Sequence, residues 1–229
     1  MSRSVGAADA IGRADRSLAA QIYDELRRRI IEGEIPAGTW LRERELAEEF
    51  SVSRIPLREA LPQLEAEGFI VTHPRRGAVV RELTVRDATE YFDVKSSLEV
   101  LAARSAASRV RAGADTARLG GAWAAAQAAM AAGDDRAIAE ANARVHDEIV
   151  ELADNRLLAS SLRPLHGLQR WFFGVTSDRD QTALAQEHAA LVAAICDGDV
   201  EYAGSLAYAH IEKSRRESLP LLAERLPAG

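Results

Sequence analysis

Residues 51–81, SVSRIPLREALPQLEAEGFIVTHPRRGAVVR, switch from turn to helix to strand within one short span, and no bulk property restricts the fold as much. Residues 51–53 form a tight connection, and Ser53 is the expected N-cap of a helix whose first turn holds Pro56, where the missing N–H costs little. Leu57, Ala60, Leu61 and Leu64 follow at i, i+3, i+4 and i+7, the stripe of an amphipathic helix, and Gly68 supplies its C-terminal cap. The period then becomes that of strands. Residues 69–81 are rich in β-branched side chains on both sides of a break, which predicts a two-stranded hairpin with His73, Pro74, Arg75, Arg76 and Gly77 at its tip.

Upstream, Leu18, Ile22, Leu26 and Ile30 recur every four residues until Gly33, giving a first helix. Pro36 and Gly38 make a turn, and a short second helix runs from Arg42 to Phe50 with Leu46 and Ala47 inward. Three short helices, a tight turn between the second and third, and a hairpin make a winged helix-turn-helix over residues 17–82. Arg54 and Arg58 are four apart and share a face away from the leucine stripe. In such a motif the N-terminal residues of the second helix meet base edges in the DNA major groove. An arginine fork there can bind guanine O6 and N7 together. Arg75 and Arg76 at the wing tip are placed for phosphates or the minor groove. The competing reading is an ordinary solvated face, with Glu59 and Glu65 as local partners.

Charge follows the same division. The chain carries a formal charge of -6, yet residues 1–81 hold 13 Lys+Arg against 13 Asp+Glu, so the acidic excess lies entirely in the remainder. A single cysteine, Cys196, leaves no internal disulfide to form. No apolar run is long enough to span a bilayer, and the first 16 residues lack the apolar stretch of a signal peptide. The expectation is a disordered tail over residues 1–16 and a soluble, cytoplasmic protein without a membrane partner.

From residue 83 to 229 every segment reads as helix: 86–110, 115–132, 135–153, 156–176, 181–197 and 200–226, with breaks at Gly113, Gly133, Asn155, Ser177 and Gly198. The fold class expected is therefore mostly α, a winged helix-turn-helix followed by a bundle of about six helices. Asn142 and His146 are i, i+4 on one helix. His188 and His210 lie on the last two helices, where a chain folded back on itself brings them together. Three imidazoles and an amide oxygen make a first shell for a borderline divalent ion such as Zn or Ni. Satisfied core histidines are the alternative. His166 lacks a ligand-type partner at i±4, and His73 belongs to the wing.

These stretches resemble the GntR regulators, in the branch with a FadR-type C-terminal ligand-binding domain. The resemblance rests on LRERELAEEFSVSRIPLREALPQLEAEGFI and RRGAVV in the first domain. In the second it rests on SLEVLAARSAA, NARVHDEIVELADNRLL and EHAALVAAICDGDVEYAGSLAYAHI. It implies a homodimer on a short palindromic operator, with Arg44, Arg54 and Arg58 contacting DNA and Ser53, Arg76 and Gly77 assisting. It also implies a metal held by Asn142, His146, His188 and His210, and a small organic acid bound beside it that changes operator affinity. Lys95 and Arg170 are the expected effector contacts, the aromatics at 171–173 are either core packing or a further contact, with core packing preferred, and six helices point to the vanillate-regulator group. Three positions depart from the family pattern. Asn142 stands where Asp is common, and Lys95 where Arg is common, which removes a bidentate clamp. Pro62 falls inside the recognition helix, where a kink or an early end is expected. Two other functions fit parts of the sequence: a metal-dependent enzyme using the Asn/His cluster with Glu148 or Glu187 as base, and an architectural DNA-binding protein without an effector.

Overall fold

The computed structural model describes residues 17–74, 76–133, 135–175 and 181–228. The chain divides between Leu83 and Thr84 into two compact units. The expected tail, Arg75 and the break at Ser177 lie outside the described residues. No described helix is long and apolar enough to cross a membrane.

In the first unit, helix α1 (Leu18–Ile31) is capped by the Ser17 hydroxyl, which accepts the Ala20 N–H at 3.2 Å. It buries Ile22, Leu26 and Ile30. A two-residue strand, β1 (Trp40–Leu41), precedes helices α2 (Glu43–Phe50) and α3 (Arg54–Ala66). The connection between the helices works because Ser51 adopts the left-handed conformation, φ 55, and Val52 N–H then closes on the Ala47 carbonyl at 3.0 Å. Ser53 holds the N-cap position of α3 in extended conformation, but its side chain makes no capping bond. Leu57, Ala60, Leu61 and Leu64 are buried, as their spacing requires.

Pro62 does not end α3, which continues to Ala66. The proline is exposed, so its ring meets solvent, and burial of the opposite stripe outweighs the one backbone bond it removes. Strands β2 (Ile70–His73) and β3 (Gly77–Val80) pair antiparallel with His73 opposite Gly77, so both belong to the ladder and the tip is only Pro74 to Arg76. The sheet has three strands, not two. β1 pairs with β3 on the side away from β2, with Trp40 opposite Val79. A two-residue strand is too short to show a period in sequence.

The second unit holds six helices among the described residues: α4 (Val85–Arg111), α5 (Ala117–Ala132), α6 (Asp135–Ala153), α7 (Arg156–Val175), α8 (Gln181–Cys196) and α9 (Val200–Arg225). Thr84 and Asp87 form a capping box that starts α4. Helices α4 and α9 run antiparallel side by side. Val85 N–H donates to the Pro227 carbonyl at 2.9 Å, Arg215 meets Asp93 at 2.8 Å, and Arg104 meets Glu201 at the far end. Close approach is possible because both helices present small residues, Ala102, Ala103, Ala106 and Ala107 against Ala203 and Ala207. Gly204 lies directly under the Arg104 side chain, where a Cβ would stand 2.7 Å from Cγ. This register sets Glu99 level with His210 and Lys95 level with Ser214.

Candidate functional site

Two groups of residues answer to the sequence expectations, one in each unit. On α3, Arg54 and Arg58 are both exposed. Arg54 makes no ion pair among the described residues. Arg58 uses Nε, the inner nitrogen of its fork, to reach Glu43 on α2 at 2.9 Å. Arg44 faces solvent on α2, 3.9 Å from Glu48. Pairs this exposed are worth about 0–1 kcal/mol and exchange easily for another anion. Arg76 carries no described ion pair either, and Arg75 is outside the described residues. Gly77 has a backbone reason to be glycine: its φ is +97, and a Cβ would lie 3.1 Å from the Leu41 carbonyl oxygen. The end of α1 is different. There Arg28 engages Glu25, Glu32 and Glu34, and Arg29 engages Glu25 and Glu49, so those arginines are spent on structure.

In the second unit, His146 on α6, His188 on α8 and His210 on α9 converge, all buried, each offering a nitrogen within 4.8 Å of the others'. His146 Nε2 and His188 Nε2 are 3.1 Å apart. Two nitrogens bound to one tetrahedral ion at 2.0–2.1 Å stand about 3.3 Å apart, so the observed gap matches two ligands of one ion. Carboxylates behind the rings set their orientation. His146 Nδ1–H donates to Glu99 Oε2 at 2.7 Å, and His210 Nδ1–H donates to Glu187 Oε2 at 2.8 Å. Each bond leaves Nε2 as the lone-pair nitrogen facing the cluster.

Burial holds His146 below the ordinary imidazole range, and holds His188 well below it with help from His210 and His146. These rings are thus kept neutral, the form that binds metal. Two buried atoms of the cluster lack hydrogen-bond partners, and the first of them bears on an ion. Asn142 Oδ1, one turn before His146 on the same helix, and His188 Nδ1 are buried without a hydrogen-bond partner. A bare buried amide oxygen costs about 1–3 kcal/mol, and a cation at the cluster would satisfy it; with His188 Nε2 turned to His146, Nδ1 carries the ring proton and is an unpaired donor. Three imidazoles and the amide oxygen therefore fit a borderline divalent ion.

Behind the cluster, Glu99 bridges His146 to Lys95, whose Nζ also donates to Gln169 Oε1 at 2.8 Å. Burial pushes the Glu99 carboxyl up, but His146 and Lys95 outweigh it and hold the group well below the usual carboxylate range. Lys95 is only 2% exposed and its amine is committed to these two partners. Glu187 is arranged likewise, between His210 and Lys213, and those two hold it low against the effect of burial. The side chain of Arg170 lies outside the described residues. Phe172 is buried against Tyr91, ring centroids 5.2 Å apart. Glu148 turns the other way from His146 and pairs with Arg118 at 3.0 Å. Neither candidate base of the enzyme reading, Glu148 or Glu187, is free to take a proton at the cluster.

Glu99 and Gln169 are the residues that sequence reasoning missed. The available signal was Tyr91, Lys95 and Glu99 at i, i+4 and i+8 on the buried face of a helix whose other buried positions are alanines, Phe92 and Ser96.

Residues 18–80 match the family described as bacterial regulatory proteins, gntR family, and residues 90–213 match the FCD domain. The Probable D-xylose utilization operon transcriptional repressor of Paenarthrobacter nicotinovorans is 31% identical over 191 residues, 82% of either chain. The gluconate operon transcriptional repressor of Bacillus licheniformis is 48% identical over 83 residues, 36% of this chain and 34% of that one. Among solved structures, E. coli McbR/YncC shares the fold, with a TM-score of 0.72 at 21% identity over 87% of this chain and 95% of that one. A GntR family regulator from Pseudomonas syringae pv. tomato has a TM-score of 0.52 at 27% identity over 90% and 88%. These relatives are regulators, not enzymes, and give the metal-dependent enzyme reading no support. The chain belongs to the gntR family of bacterial regulatory proteins, as a DNA-binding transcriptional regulator whose second unit is an FCD domain.

Proposed function

We propose that the protein is a repressor that binds a palindromic operator as a homodimer and responds to a small organic acid bound at a metal ion in the second unit. Arg54 and Arg58 would read base edges from the start of α3, with Ser53 beside them. Arg44, Arg75 and Arg76 would hold phosphates, and Gly77 would let the wing backbone approach the groove. Zn, or Ni in its place, would sit on His146, His188, His210 and Asn142. The observation that carries the effector class is the charge around that cluster. All four ligands are neutral, and each carboxylate behind them already has a lysine, Glu99 with Lys95 and Glu187 with Lys213. A divalent ion there keeps an uncompensated charge in a buried site, so an anionic oxygen is the favoured remaining ligand. Arg170, and Lys95 on exchange of its Gln169 bond, are the cations for the acid's other end. The two relatives named for D-xylose and gluconate operons make a sugar-derived acid the first class to test.

The test is gel-shift binding to DNA flanking the protein's own gene at fixed salt, for wild type and Arg54→Ala, repeated after chelation and with a pool of sugar acids. Sequence-specific binding that Arg54→Ala loses and one acid weakens only in the metal-loaded protein supports the reading. Binding indifferent to every acid and to chelation leaves an architectural DNA-binding protein.

A further inference from the structure

Ile55 is out of place for a residue of its type. It is 67% exposed, more than any other aliphatic side chain of the first unit among the large exposed hydrophobics. At 100° per residue, the buried stripe of Leu57, Ala60, Leu61 and Leu64 points about 190° away from it, so Ile55 stands on the line directly opposite the core. It occupies the first turn of α3, next to Arg54 in sequence and one turn from Arg58 on the adjoining flank. No described residue of the first unit covers it.

The neighbourhood selects the kind of surface that would cover it. An apolar protein partner would have to desolvate Arg54 and Arg58 together with Ile55, burying two cations. A DNA major groove accepts both at once: phosphates and guanine edges take the arginines, and the thymine C5-methyl is the one apolar group a base pair displays there. We propose that Ile55 reads a thymine methyl in the operator and so fixes the sequence preference at one base pair of each half-site. This rests on α3 being the DNA-reading helix, and it adds an apolar specificity contact to the polar ones already assigned.

The experiment uses the full chain and the best operator selected from a random DNA pool. Each thymine is replaced singly by deoxyuridine, which lacks only the methyl group, and dissociation constants are measured for wild type and Ile55→Ala. One position per half-site is expected to weaken wild-type binding about fourfold, the equivalent of one buried methyl, and about sixteenfold when both half-sites are changed. Ile55→Ala, whose fold is spared because the side chain is exposed, is expected to be insensitive at that same position. If wild type and Ile55→Ala respond alike at every thymine while both still select the operator, the inference is overturned and α3 as reader stands. If wild type selects no operator at all, the DNA-reading role of α3 fails first and the inference with it.

Discussion

Replacing Glu99 by Gln separates the two tasks this carboxylate performs. The substitution preserves shape and leaves an oxygen to accept the His146 Nδ1–H, but removes the charge that faces Lys95. Breaking one partner of a buried ion pair costs about 3–5 kcal/mol. The lower end applies here, because Lys95 keeps its bond to Gln169 and glutamine still offers a polar acceptor. Loss of a carboxylate behind a metal-bound imidazole typically lowers metal affinity about 10- to 100-fold. With excess metal at fixed concentration, that reduces metal-dependent stabilisation by about 1.4–2.7 kcal/mol. The measurements are denaturant unfolding of the full chain with and without metal, and metal affinity by competition with a chelating dye. Adding Lys95→Met to Glu99→Gln removes the unpaired cation. The double variant is expected to regain most of the metal-free stability while staying weak for metal. A Glu99→Gln variant that binds metal as tightly as wild type would refute the claim that Glu99 acts on the ion through His146. A double variant no more stable than the single one would refute the ion-pair account of the stability loss.

Three further outcomes follow from single residues. Arg76→Ala is expected to weaken binding to all DNA sequences about equally and to lower the slope of log affinity against log salt by about 1, whereas Arg54→Ala relaxes sequence preference; titration at several salt concentrations checks both. Ser51 at φ 55 is a position for glycine, so Ser51→Gly should be neutral or stabilising and Ser51→Val should cost about 1–3 kcal/mol in denaturant unfolding of the first unit. Gly198 has φ +70, and a Cβ there would meet the Arg111 backbone nitrogen at 3.2 Å, so Gly198→Ala should lower the melting temperature of the second unit, with operator selectivity unchanged.

Which features could be read in the sequence follows from how far apart their determinants lie. The boundaries of α4 to α9 are nearly those of the apolar periods and the glycine breaks, because a helix is signalled by residues within a few turns of one another. The winged motif was legible for the same reason: the turn, the Leu57/Leu61/Leu64 stripe and the hairpin fall within about thirty residues. β1 was not, since a two-residue strand exists only through its pairing with Val79 and Ala78, far along the chain. The extent of α3 past Pro62 depended on an energy balance that the proline alone does not reveal. The stripe buried opposite it decides the outcome.

The histidines mark the limit of this reading most clearly. His146, His188 and His210 could be nominated from residue type and helix assignment, but spacing leaves open whether they meet, because that depends on how α6, α8 and α9 pack about α4, with α9 in antiparallel register to it. That register is fixed by alanines, by Gly204 beneath Arg104 and by the Asp93–Arg215 pair, none of which offers a ligand to the histidine cluster. Once it is set, Glu99 on α4 comes level with His210 on α9 and stands behind His146 on α6. A glutamate with no motif of its own thereby becomes the group that aims the His146 nitrogen into the histidine cluster. Chemistry in the first layer is thus written in residue types, while the second layer is written in packing, and packing is a property of the whole unit.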